Sequence, residues 1–94
     1  MIYAKEEGFM EFVVVAFRSR AHTVRFSEIL RRIGVMNEIV NTPKEAGVGC
    51  GLSVKISKST FPSVKRAVFS ASLNSFAGFF LVSVYGGKRI VRTI

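Results

Sequence analysis

Aspartate is missing from this 94-residue chain; all six acids are glutamates, set against fourteen Lys and Arg. That absence removes EF-hand loops, Walker-B carboxylates and paired catalytic aspartates. Cysteine and histidine occur once each, as Cys50 and His22. One Cys excludes an internal disulfide and a multi-cysteine zinc site, and one His without an Asp excludes a Ser–His–Asp triad. Neither a metal nor a bound cofactor is expected. Long apolar runs are lacking too: Phe12–Phe17 and Phe76–Val82 fall far short of the roughly 20 residues of a membrane span. Residues 1–8 show no basic and apolar regions of a secretory signal, and an unpaired thiol suits a reducing compartment. The expected location is the cytoplasm.

What is present reads as one globular domain, 1–94, with 49% hydrophobic and 21% charged residues. Residues 1–10 read as an N-terminal extension. The formal charge is +8, but the basic residues are spread along the chain in runs of at most two, as on solvated faces of amphipathic elements.

Phe12–Phe17 is a continuous run of strand formers and reads as a central strand buried on both faces. Ser19 is a candidate N-cap. Phe26, Ile29, Leu30 and Ile33 then recur at helical spacing, Arg31 and Arg32 suit the last turn, and Gly34 supplies the stop. Val35–Val40 reads as a short edge strand interrupted by Asn37 and Glu38. A turn-rich stretch from Asn41 to Gly51 follows. Leu52–Ile56 alternates as a strand with Leu52, Val54 and Ile56 inward. Ser59, Thr60 and Pro62 announce a second helix with the stripe Val64, Ala67, Val68 and Ala71. Phe79–Tyr85 is a strand, Gly86-Gly87 a hairpin turn, and Lys88–Thr93 a basic edge strand, so 86–94 is an added hairpin strand. This order is that of an α+β, ferredoxin-like βαββαβ sandwich with an extra C-terminal strand, the first strand lying mid-sheet. With both helices on one face, the opposite face would expose apolar rows of the first and fourth strands. A homodimer packing sheet on sheet would cover them; the alternative cover is the segment 2–10, which Lys5-Glu6-Glu7-Gly8 makes a poor lid.

In that layout the first strand–helix loop and the loop between the second and third strands share one end of the domain. The former brings Arg20 and His22; the latter brings Lys44 and Gly49-Cys50-Gly51. A thiol beside a helix N-terminus and cations has a lowered pKa and reacts as thiolate, and the flanking glycines leave it approachable. The residues equally allow Cys50 to be a small buried hydrophobe, and His22, Lys44 and Arg20 to be surface groups.

The stretch from Phe17 to Gly34, with Ile39–Glu45 and Cys50-Gly51-Leu52, resembles a small bacterial family of selenium/sulfur carrier-like proteins, once a domain of unknown function. The resemblance is gap-free from about Val13 to Ile56 and looser to Tyr85. Its most specific element is the spacing of Thr42-Pro43-Lys44-Glu45 to Cys50-Gly51. The sequence departs from the family pattern at Arg18, often Pro, and at Gly47-Val48-Gly49, often Ser-rich. The resemblance implies a carrier, not a turnover enzyme. It would hold a persulfide or selenopersulfide on Cys50 between a donor and an acceptor protein. The alternative is a ferredoxin-like module binding a small anion or RNA, with Cys50 structural. The strands lack the Gly-aromatic signature of an RNA-recognition sheet, which speaks against nucleic acid.

Overall fold

The computed structural model describes residues 9–48 and 51–94. Within them the chain is an α+β domain: a five-stranded antiparallel sheet and two helices. The strands are β1 (Phe9–Phe17), β2 (Glu38–Asn41), β3 (Leu52–Ile56), β4 (Phe76–Tyr85) and β5 (Lys88–Thr93), in the order β2-β3-β1-β4-β5. Helix α1 (Arg20–Arg32) joins β1 to β2, and α2 (Phe61–Ala71) joins β3 to β4. β1 is mid-sheet and β2 is an edge, as the apolar content of each implied.

Side-chain alternation decides what each sheet face buries. Val13, Val15 and Phe17 of β1 meet Phe26 and Leu30 of α1 and Val64 and Val68 of α2, all buried. Each such side chain contributes on the order of 1.5–3 kcal/mol on leaving water. Phe17 packs on Phe26 at 5.3 Å between ring centroids and edge-on to Phe76 at 5.9 Å. Val14 and Ala16 point the other way and form a second cluster with Phe80 and Val82.

This second face differs from expectation. The row expected to stand open is buried, with Val14, Ala16 and Val82 at 0% exposure. Ala46 and Val48, from the connection between β2 and β3, pack against it with Val91 of β5. The segment 44–48 thus lies over the sheet, which the turn signals of 41–51 could not reveal. The apolar ground for a sheet-on-sheet dimer is therefore not met by this row.

Local signals account for most boundaries. Ser19 caps α1 by accepting from the His22 amide. At the other end Gly34 (φ 82°) lets the Gly34 amide reach the Arg31 carbonyl and the Val35 amide the Leu30 carbonyl, a Schellman closure. Gly86 and Gly87, at φ 56° and 83°, supply the two positive dihedrals of a type I′ hairpin turn. Three strand limits move. β1 starts at Phe9, where Phe9 and Met10 pair with Tyr85 and Val84, so these two residues belong to the sheet. β4 begins at Phe76. β2 is only Glu38–Asn41, because Asn37 turns away to bond the Ser27 hydroxyl and the Val35 carbonyl. The remainder of the N-terminal stretch, residues 1–8, lies outside the described residues.

Candidate functional site

The site is built where β1 ends and β3 and β4 begin. β1 and β4 pair in register from Phe9↔Tyr85 to Ala16↔Gly78, then shift so that Phe17 faces Phe76. The extra residue on β4 makes a bulge, with Gly78 at φ 145°, and bulges re-aim the chain beyond them. Here the chain before β4 comes alongside the β1–α1 junction, and the Arg18 amide donates to the Ser75 carbonyl at 2.8 Å. Ser75 Oγ accepts from the Ser19 amide at 3.2 Å and shares a 2.6 Å hydrogen bond with His22 Nδ1. His22 is thus a half-buried residue of the helix's first turn, held by a serine more than fifty positions away.

The same turn grips β3. Thr23, fully buried, places Oγ1 3.3 Å from the carbonyls of both Ser19 and Leu52. Leu52 opens β3, two positions after Cys50. The neck of the β2–β3 connection is closed by the Thr42 amide donating to the Gly51 carbonyl at 2.8 Å and by Thr42 Oγ1 against Ser53 Oγ at 2.7 Å. The two loops expected to share one end of the domain do so.

Gly49 and Cys50 lie outside the described residues. Their neighbour Gly51 is exposed. Among the described residues a Cβ there would meet nothing within 4 Å, and its φ is not in the left-handed region. Among them, neither packing nor backbone strain requires glycine at that position.

The remaining candidates divide between the two sides of the sheet. Arg20, exposed, stands beside His22 in the helical layer. Lys44, also exposed, belongs to a 3₁₀ turn, Lys44–Ala46, which lies on the opposite face, where Ala46 packs on the Val14 cluster. That turn is anchored at both ends: Pro43 before it is buried, and Gly47 after it takes φ 69°. Between them Glu45 receives both Arg89 Nε (3.2 Å) and a terminal Arg89 nitrogen (2.9 Å) from β5. The Arg89 guanidinium, first of all through its hydrogen bonds, holds the Glu45 carboxyl below its ordinary pKa.

The clasp from β5, the serine at 75 and the threonine ties were not read from the sequence. Serine and threonine carry little signal of their own, and Arg89 reads as one more dispersed cation. Among the described residues no group of three or more His, Cys, Asp and Glu could hold a metal ion. Nor is any helix long and apolar enough to cross a membrane.

Comparison with known proteins found neither a curated protein nor a solved structure that matches. One family model does, described as "Putative Se/S carrier protein-like" and covering residues 12–74. That span runs from β1 past α2, taking in Cys50, the β2–β3 connection and the first turn of α1, while β4 and β5 fall beyond it. The match covers well over half the chain, and the chain belongs to the Se/S carrier protein-like family.

Proposed function

We propose that the protein is a sulfur or selenium carrier that holds its cargo on Cys50 and exchanges it with partner proteins. The observation that carries this reading is the family match across residues 12–74, which includes the chain's only cysteine. The hydrogen bond from Thr23 in the first turn of α1 to the Leu52 carbonyl, two positions after Cys50, supports it.

Loading is a thiol exchange without net oxidation. The Cys50 thiolate attacks the outer sulfur of a donor persulfide, a new Cys50 S–S bond forms, and the donor's S–S bond breaks with release of its thiolate. For selenium, the outer atom of the donor is Se and the same bonds change. Unloading repeats the step with an acceptor thiolate as nucleophile. Positive charge near the thiol favours the ionised form; that role is assigned to Arg20 in the first turn of α1, while Lys44 lies across the sheet from it. Gly49 and Gly51, having no side chains, would leave the sulfur open to a partner's active site. Gly51, which neither strain nor packing among the described residues requires, fits that role. No step turns over a substrate by itself, so the protein serves as carrier and not as an enzyme.

The sheet order supports a ferredoxin-like reading of the fold: without β5 it is β2-β3-β1-β4, the two interlocked strand–helix–strand units. The test of function is intact-mass analysis after incubation with a persulfide-loaded donor. One added sulfur on the chain, absent from Cys50→Ala protein, is expected. No adduct, or an equal adduct on the variant, contradicts the reading.

A further inference from the structure

The cations that look dispersed in the sequence are gathered by the fold. α1 holds four arginines against Glu28 alone, and α2 holds Lys65 and Arg66 against no acid, a net +5 of the chain's +8. Both ion pairs among the described residues, Lys58–Glu11 and Arg89–Glu45, lie outside these helices. A solvated face usually interleaves both signs; here Glu28, three positions after Arg25 and four before Arg32, is the one acid on the two helices.

Between the helices runs a groove of about 550 Å³, lined by Ile29 of α1, by Ile33 just after it, and by Arg66, Ala67, Ser70 and Ala71 of α2, among others. It exists because α2 turns small side chains toward α1. Ile33 is left 56% exposed beside it. Helical spacing sets Arg25 and Arg32 next to Ile29, four positions before and three after. The result is an open, largely apolar groove with Arg66 in its lining and Arg25 and Arg32 on the α1 surface beside Ile29.

We propose that this groove docks an acidic amphipathic helix of a partner protein. Its apolar side chains would enter between Ile29 and Ile33 on one wall and Ala67 and Ala71 on the other. Its carboxylates would pair with Arg25, Arg32 and Arg66. The apolar walls and the charge together select this occupant. Single-stranded nucleic acid is held largely by stacking its bases on aromatic rings, and the groove lining has none. The proposal does not depend on what Cys50 carries.

The test is fluorescence anisotropy with the whole chain and a labelled synthetic peptide carrying Leu at helical spacing and Glu elsewhere. Saturable binding is expected, weakened by salt. Neutralising Arg25, Arg32 and Arg66 together to Gln is expected to weaken it roughly tenfold, given the modest worth of each exposed pair. Ser70→Phe, an exposed position that narrows the groove, is expected to weaken it as well, with circular dichroism confirming the fold of each variant. Absent saturable binding overturns the proposal. So does equal affinity for a peptide of the same composition with its leucines scrambled. An RNA oligomer that binds more tightly than the peptide and ignores Ser70→Phe would assign the face to nucleic acid and overturn it too.

Discussion

Replacing Thr23 by valine removes one buried oxygen and should separate two roles of that side chain. Thr23 is fully buried, and its hydroxyl is within 3.3 Å of the Leu52 and Ser19 carbonyls. Valine keeps the volume and the branched shape, so no cavity forms and the helix keeps its packing. What is lost is a buried hydrogen bond, worth about 0.5–1.5 kcal/mol net, while the Leu52 carbonyl loses a donor from α1. For a domain of this size about 1 kcal/mol corresponds to a fall in Tm of roughly 4–8 °C. Thr23→Ser is the converse. It keeps the hydroxyl and deletes a buried methyl, a loss of about 0.8 kcal/mol before any cavity cost. The two variants are therefore expected to lose similar stability for different reasons. Amide hydrogen exchange distinguishes them. Protection at Leu52 and Ser53 should drop in Thr23→Val beyond the global loss and follow only the global loss in Thr23→Ser. An unchanged Tm in Thr23→Val, or equal exchange at β3 in both variants, would refute the hydroxyl as the tie between α1 and the base of the Cys50 loop.

Other outcomes follow from the same geometry. The alkylation rate of Cys50 against pH should give an apparent pKa below the unperturbed ~8.5, whereas a value at or above it would favour a buried structural thiol. Arg89→Glu should raise amide exchange at Ala46 and Gly47, and adding Glu45→Arg should restore protection; failure of the swap would mean that apolar packing alone holds the turn. Because Arg89 and Lys58 hold Glu45 and Glu11 below the ordinary carboxylate pKa, the stability they add is full above the unfolded value. It is lost as pH falls through the folded one. Acid titration of the 44–48 amides should show this loosening only below the usual carboxylate range, and loosening near neutrality would contradict it. Light scattering at tens of micromolar should give a monomer mass, since Val14, Ala16, Phe80 and Val82 are covered within the chain; a dimer mass would show that another surface pairs.

The elements of the fold could be read because their signals are local. The Phe26–Ile33 stripe, the Ser19 cap and the Gly34 stop define α1 within one stretch of chain, and alternation in Leu52–Ile56 defines β3 to the residue. The rest depends on partners far apart in sequence. Nothing near Asn37 signals that its amide serves Ser27 and Val35 instead of a strand ladder. Nothing near Ser75 signals that a β4 bulge delivers it to His22. The apolar face was misjudged for the same reason: whether a row is covered depends on where a loop lands, and Ala46 and Val48 carry too little hydrophobic surface to announce it. At the candidate site, the shared end of the two loops followed from strand direction alone. The placement of Lys44 across the sheet from Arg20 and His22 required the fold.

The most direct measurement of the central claim is a single-turnover cycle on isolated protein. The chain is loaded from a persulfide donor, freed of that donor, and mixed with an acceptor thiol while intact mass is followed. A carrier is expected to gain one sulfur on Cys50 and to lose it to the acceptor in equal amount, with no gain in Cys50→Ala. A chain that takes up no sulfur, or takes it up and cannot release it to any thiol, would contradict carriage by Cys50.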